Sequence, residues 1–402
     1  MLAYILPTIL FFLSKFRFTS QVVIITNSEE GGDHVHYTRE DACRAWLTYG
    51  MFRADHLQYL LEKYSSAEAI FDRFSSLGGT FLQEYINEFG IAQLAEQAPK
   101  QKMHEMLLTM QKLDIGILGL ESPSYPDYLK NIQAPPALLF YRGNPDCLMG
   151  KCISVVGSRK ASPQGLDVTQ KICCDLSAAG VTIVSGLAMG IDAAAHEGCL
   201  RGGSPTAAVL GCGLDVDYPA ENAALKEQIV QSGGVLLSEY PPGVRANKYV
   251  FQVRNRIISG LSRALLMMES QIKSGSFLTV QHALDQGREV YAYPGVPGTE
   301  WAQGAHQLLR EGANYFTSAQ DILEDLGWAD DIPATAKAEE TALPALDEDQ
   351  RKVFALLSQG EKSFDQLAAE TGLSASSLSV ALTMLQMMGL AKSMPGKVYC
   401  RS

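Results

Sequence analysis

"CISVVGSRKASPQGLDVTQKICCDLSAAGVTIVSGLAMGIDAAAHEGCL" runs from Cys152 to Leu200. It opens on a short apolar, β-branched run, Cys152–Val156, that reads as a strand. A turn led by Gly157 follows. Ser162 then stands as an N-cap, Pro163 occupies the first helical turn, and Gly180 stops the helix. "VTIVS" is a second apolar strand and "IDAAAHEGCL" a second helix. Short strands that are apolar on both faces, separated by helices, describe a parallel sheet covered on both sides.

The alternation continues downstream. "TAAVL" is followed by a helix from about Glu221 to Ser232; "VLLSE", "ALLMM" and "EVYAY" supply further strands, and "TVQHALDQG" another helix. The predicted fold class is α/β: a Rossmann-like, doubly wound, mainly parallel sheet over residues 116–328. Residues 37–115 show apolar residues at i, i+3 and i+4 spacing and predict a helical, SAM-like domain. The stretch from Gly116, through Pro123, Pro126, Pro135 and Pro136 into a short strand, leads into the α/β domain. Residues 329–345 are acidic and Pro-containing and read as a linker. Residues 346–402 carry helical patterns at Asp347–Leu357, Phe364–Glu370 and Ala375–Met388, with "TGLS" as a tight turn and "AKSMPGKVYC" as a wing: a winged helix-turn-helix.

The chain has 402 residues and a net charge of −11, which argues against an all-over nucleic-acid-binding surface but leaves room for a local basic site. The eight cysteines form no C-x-x-C pair and read as buried free thiols of a reducing cytosol, so a cytoplasmic protein is expected. "LAYILPTILFFL" near the N-terminus is 12 residues long, short of the ~20 that span a bilayer, and its cations follow the run. Residues 1–36 are expected to be an upstream start or an extension, with no membrane partner.

In a doubly wound sheet, ligands bind beyond the carboxyl ends of the strands. The loops there are "GSRKASP", "SGLAMGID", "GCGLDVDYP", "EYPPGVRANKYVFQVRN", "ESQIKSGSFLT" and "PGVPGTEWAQGAH". Glycines and helix N-termini let backbone N–H groups approach an anion, so these loops predict a phosphate-binding rim. The dinucleotide and P-loop fingerprints are absent. Between Arg245 and Arg288 stand seven basic residues and two acidic ones, with Tyr249 and Phe251 among them. Interleaved cations and rings suit single-stranded nucleic acid. An exposed helix end with structural aromatics is the other reading.

Catalytic candidates are sparse. Asp192 and His196 stand four apart on one helix face, as a metal pair or base, or as a helix-capping Asp beside a packed His. Ser185, Ser238 and Ser276 have no base nearby in sequence. The last C-terminal helix, "SASSLSVALTMLQMMG", has no Lys or Arg, which favours protein contact over base reading.

Seven blocks, "VVGSR", "SGLAMGIDAAAHEGCL", "GCGLDVDYPAEN", "LLSEYPPG", "FQVRNRIISGLS", "KSGSFLTVQHALDQGREVYAYPG" and "GAHQLLREGA", resemble, in order, the bacterial DNA-processing protein A (DprA/Smf) family. The resemblance covers roughly Gly116 to Leu326. It implies a homodimer, without cofactor or catalysis, that binds and protects single-stranded DNA and loads the RecA recombinase during natural transformation. By motif, Arg159, Arg254 and Arg256 would contact phosphates, Asn255 would order the loop, Phe251 would offer a stacking surface, and Lys248 would add a contact. The rim adds Gly157, Ser158, Lys160, Gly186, Lys273, Ser274, Gly275 and Ser276 as DNA-binding candidates. Where some relatives carry a basic residue after the "YP" of the third loop, this chain has Ala220, and Lys226 lies further along the helix. The N-terminal helices lack a glycine-rich helix-hairpin-helix turn, so no DNA binding is assigned to them.

The competing class is an enzyme. "KSGSFLT" and its helix are similar to the nucleotide-binding corner of lysine-decarboxylase-like phosphoribohydrolases. There the helix would carry a catalytic Glu; here it has Gln281 and His282.

Overall fold

The computed structural model describes residues 37–329 and 347–401, apart from positions 52, 273, 358, 359, 388, 389, 395 and 396. The proposed extension, most of the linker and Lys273 lie outside the described residues. The chain forms two compact units, 1–332 and 333–402.

In the first unit a helical bundle comes first: α1 (Arg39–Thr48), α2 (Ala54–Tyr64), α3 (Ala67–Leu77), α4 (Glu88–Gln97) and α5 (Lys100–Lys112). Its centre is Trp46, fully buried, edge-on to Phe71 and Phe74 at 4.9 and 5.1 Å. The Trp46 indole N–H donates to the Leu94 carbonyl at 2.8 Å, so the ring is buried with its polar atom satisfied. The same apolar cluster continues into Ile115, Leu138, Phe140, Ala208, Leu210 and Leu236 of the sheet region. The bundle therefore has no separate core; it packs on the sheet.

The sheet strands are β1 (Ile115–Gly119), β2 (Leu138–Gly143), β3 (Cys152–Val156), β4 (Thr182–Ser185), β5 (Thr206–Leu210), β6 (Val235–Ser238), β7 (Ala264–Met267), β8 (Glu289–Ala292) and β9 (Asn314–Tyr315). Their order is β1-β2-β6-β5-β4-β3-β7-β8-β9. All pairings from β6 to β9 are parallel. β1 and β2, of which the sequence suggested one short strand, add an antiparallel edge. The connecting helices include α6 (Asp127–Lys130), α7 (Pro163–Ala178), α8 (Ile191–Gly202), α9 (Ala223–Gln231), α10 (Lys248–Gly260), α11 (Ser276–Asp285), α12 (Gln303–Arg310) and α13 (Ala319–Asp325).

The expected caps form. The Ser162 hydroxyl accepts from the Gly165 N–H at 2.9 Å, and Gly180 adopts φ +79°, which a side chain would resist. α8 lies so close to α7 that a β-carbon on Gly198 would meet the Gln170 carbonyl. After β3 the chain moves outward through β4, β5 and β6, then crosses back so that β7 lies on the other side of β3. This reversal opens a crevice at the carboxyl ends of β3 and β7, where doubly wound folds place their ligands.

The second unit contains α14 (Glu348–Leu357), β10 (Lys362–Ser363), α15 (Phe364–Thr371), α16 (Ala375–Met387), β11 (Ala391–Met394) and β12 (Val398–Arg401). Gly372 at φ +68° makes the turn between α15 and α16, and β11 pairs with β12 antiparallel as the wing. Val353, Leu357, Leu367, Leu378, Leu382 and Leu385 form its core. Among the described residues, no helix is long and apolar enough to cross a membrane.

Candidate nucleic-acid interface

A cavity of about 550 Å³ occupies the crevice between β3 and β7. Five of the six predicted rim loops line it: Gly157–Arg159 after β3, Ala188 and Asp192 at the start of α8, Tyr218, Ala246–Lys248 with Phe251, Gln252, Arg254 and Asn255 at the start of α10, and Ser274–Ser276 with Leu278 and Thr279 leading into α11. The sixth loop is a buttress. The Trp301 indole donates to the Lys160 carbonyl at 2.8 Å, and the Trp301 carbonyl accepts from the Ser270 N–H at 2.7 Å.

The β3 loop is held by its backbone. The Ser158 N–H donates to the Glu269 carbonyl at 2.7 Å, and the Ser158 carbonyl accepts from the Ile191 N–H at 3.1 Å. A side chain on Gly157 would press into Ile191 and the Glu269 carbonyl, so glycine is required there. The loop thus ties β3, β7 and α8 together and leaves Arg159 and Lys160 exposed.

α10 carries the centre of the site. Asn247 caps it, its side-chain oxygen accepting from the Tyr249 and Val250 N–H groups at 2.9 and 3.1 Å. Lys248 is exposed, Phe251 and Asn255 are half-buried, and Arg254 is 4% exposed. The Phe251 ring centroid lies 5.3 Å from the Arg159 guanidinium and 5.8 Å from that of Arg254, with the Tyr218 ring at 5.4 Å. Such distances are within cation–π range.

Arg254 donates through Nη1 to the Val209 carbonyl, while its Nε has no partner among the described residues. Burial pushes its pKa down to about 10, with Asp192 holding it up and Arg159 pressing it down. It remains cationic at neutral pH. Asp192 shares the cavity and supplies the nearest balancing charge. Burial raises its carboxyl pKa, which Arg254 and the Ala188 N–H counter. His196, four residues on, is buried; its Nδ1 lies 2.7 Å from the Thr206 hydroxyl oxygen. The Thr206 hydroxyl hydrogen is spent on the Ile183 carbonyl, so Nδ1 carries the proton and donates. His196 is a packed histidine, as one sequence reading had it, whereas Asp192 does not cap α8: the N-cap position is Gly190, and the Asp192 carboxylate accepts from the Ala188 N–H upstream of the helix. The counter-ion role of Asp192 was missed, because four-residue spacing says nothing about a helix two strands further along the chain.

The predicted residues divide. Gly157, Ser158, Arg159, Lys248, Phe251, Arg254, Asn255, Ser274, Gly275 and Ser276 line the cavity. Lys160 stands beside it, exposed. Gly186 lies beneath the Arg254 guanidinium, where a β-carbon would collide with it. Ser274 and Ser276 bond to each other through their hydroxyls, and Ser276 also reaches the Ser270 hydroxyl at 3.1 Å. Arg256 is outside the cavity lining and pairs with Glu239 at 2.7 Å. Two carboxylates that could otherwise pair with Arg254 are engaged elsewhere. Glu239 holds Arg256, and Glu269 accepts from the Ser162 N–H and hydroxyl at 2.7 and 2.6 Å. Lys226, buried, donates to the Val216 carbonyl at 3.1 Å and to Asp217 at 2.9 Å, so it does not replace the cation missing at Ala220. Tyr218, Asn247 and Gln252 line the cavity without having been named from the sequence; only the position of Asn247 before α10 signalled it.

Comparison with known proteins follows the same blocks. Residues 116–327 match the family described as DNA recombination-mediator protein A, and residues 337–397 match the DprA winged helix domain. The chain is 36% identical over 327 residues to "Protein Smf" of Synechocystis, covering 72% of this chain and 81% of that protein. It is 44% identical over 201 residues to "DNA processing protein DprA" of Streptococcus pneumoniae, covering 50% and 71%. The X-ray structure of the Streptococcus pneumoniae protein superposes with a TM-score of 0.59 at 34% identity, over 72% of this chain and 98% of that one. By family match, identity and fold together, the chain belongs to the DNA recombination-mediator protein A (DprA/Smf) family.

Proposed function

We propose that this protein binds single-stranded DNA in the switch-point cavity, with the DNA backbone on Arg159, Lys248 and Arg254 and a base against Phe251. The observation that carries the reading is the Phe251 ring within cation–π reach of two guanidinium groups in a crevice open to solvent. Stacking on an aromatic face is worth ~1–3 kcal/mol per base, and phosphate contacts carry no sequence information. Binding is therefore sequence-tolerant and salt-dependent.

Binding is favoured over catalysis by the cavity's own groups. Its carboxylate, Asp192, faces Arg254 and accepts from a backbone N–H, an arrangement that balances charge. The helix that would carry a phosphoribohydrolase glutamate has Gln281, bonded to Asp285 at 2.8 Å, and His282, whose pKa burial lowers. Family membership supports the further reading that the bound strand is protected and handed to the RecA recombinase during natural transformation, by a cytoplasmic homodimer.

A gel shift with single- and double-stranded oligonucleotides, with and without RecA, beside a nucleotide-hydrolysis control, tests this. Single-strand binding with enhanced RecA assembly and no turnover is expected. Turnover without binding would select the enzyme. Light scattering that found only monomer at micromolar concentration would remove the dimer from the reading.

A further inference from the structure

The cavity between β3 and β7 has a neighbour. Asn247 lines it and also lines a second cavity of about 500 Å³. One wall of this second groove is the loop Pro242–Arg245 that feeds α10. The other is the helical bundle, through Tyr49 after α1 and residues of α4 and α5. The walls are joined, because the Tyr49 hydroxyl donates to the Pro242 carbonyl at 2.8 Å.

Three exposed groups stand in this groove. Phe89 is 62% exposed, although it belongs to a helix with a well-buried opposite face. Arg245 is exposed, and its guanidinium makes no hydrogen bond or ion pair with another described residue. Lys102 has half its side chain in solvent. The groove's two carboxylates are already engaged. Asp215 accepts from the Gly243 N–H at 2.9 and 3.0 Å, and Glu105 accepts from the Gln101 amide at 3.0 Å and faces Lys102 at 3.7 Å. An exposed ring and an unpaired guanidinium line this one groove, the same two kinds of group that Phe251 and Arg159 bring to the first cavity.

We propose that the groove is the outward path of the single strand: DNA leaving the first cavity passes Asn247, places a phosphate on Arg245 and stacks a base on Phe89, with Lys102 adding charge. This rests on the first cavity being a single-strand site. A strand longer than that cavity has to leave it, and the exit over Asn247 is continuous with a surface carrying both groups that single strands use. The bundle, to which the sequence assigned no DNA contact, thereby becomes part of the binding surface.

The test is fluorescence anisotropy of the full chain with an oligothymidylate of about 4 nucleotides and one of about 16. Phe89→Ala and Arg245→Glu should each weaken the long oligonucleotide by about ten-fold, a single lost stack or contact, and leave the short one unchanged. Both side chains are exposed, so the melting temperature should stay at the wild-type value, which separates a lost contact from misfolding. Unchanged affinity for the long oligonucleotide overturns the proposal, and so does equal weakening at both lengths. Arg159→Ala serves as the companion. If it leaves both lengths at wild-type affinity, the reading of the first cavity fails, while a length-selective loss in Phe89→Ala still places DNA on the groove.

Discussion

The Arg254 guanidinium rests on Gly186 so closely that a β-carbon at 186 would overlap its Nη1. Gly186 follows β4, and Arg254 sits nearly two turns into α10. A glycine on one element therefore makes room for the buried cation of another. That cation is steered by the Val209 carbonyl and balanced by Asp192. The charge is placed before any anion arrives, which lowers the ordering cost of binding.

Gly186→Ala should displace Arg254 with no change in net charge. Overpacking of this kind costs about 1–3 kcal/mol. Calorimetry should show a lowered melting temperature, and anisotropy a loss of single-strand affinity of about ten-fold or more. A variant that binds as tightly as wild type would separate Arg254 from DNA binding.

Arg159→Ala removes an exposed cation and should leave the fold intact. Affinity should fall by a similar factor for every sequence. The slope of log K against log salt should flatten by about 0.7 for one lost phosphate contact. Titrations at several salt concentrations check this; an unaltered slope would mean that Arg159 touches no phosphate.

Arg256→Ala should behave differently. Arg256 and Glu239 are 12% and 19% exposed, so the pair is largely desolvated. Removing the cation strands Glu239, a cost of about 1–3 kcal/mol. The expected result is a lower urea midpoint with little change in DNA affinity. A large affinity loss at unchanged stability would return Arg256 to the DNA contacts.

Acid stability should depend on His196. Burial lowers its pKa from 6.5 to about 3, so the unfolded chain takes up a proton first. Stability then falls as the pH drops from 6.5 towards 3, by on the order of a few kcal/mol in total. Asp192 acts with the opposite sign: its raised pKa means the folded state binds the proton first, so acid stabilises it. His282, also lowered, adds to the His196 effect. Between pH 6.5 and about 5.5 the lowered carboxyls Glu40 and Glu227, whose ordinary value is 4.5, stay almost wholly ionised in both states, so the slope there reports the histidines and Asp192. Urea unfolding over that window should give a shallower pH slope for His196→Gln and a steeper one for Asp192→Asn.

Much of the architecture was legible in the residues. Cys152–Val156, Thr182–Ser185 and Thr206–Leu210 are strands apolar on both faces, and a strand buried on both faces requires a helix layer on each. The helical period of "FQVRNRIISG" sets Arg254 on one side with Ile257 and Ile258, and all three are buried. β1 and β9 were harder to see: β1 is a short run between a helix and a proline-rich stretch, and β9 has two residues. The bundle read as a separate domain because its helices are amphipathic, but amphipathicity does not say what the apolar face meets, and here it meets the sheet.

The sequence by itself determined the kinds of elements, the glycine-rich turns at the strand ends and the stretch where positive charge collects, because these depend on local periodicity and backbone freedom. Only the tertiary structure decided the partners. Arg159, Asp192 and the Phe251–Arg254 turn of α10 are distant in the chain and meet because the strand order reverses between β3 and β7. Which arginine faces the cavity and which is locked to Glu239 depends on the rotation of α10 against the sheet, and that is set by packing. Charge is additive along a chain, but a binding site requires charges at fixed separations, and those separations exist only once the sheet has closed.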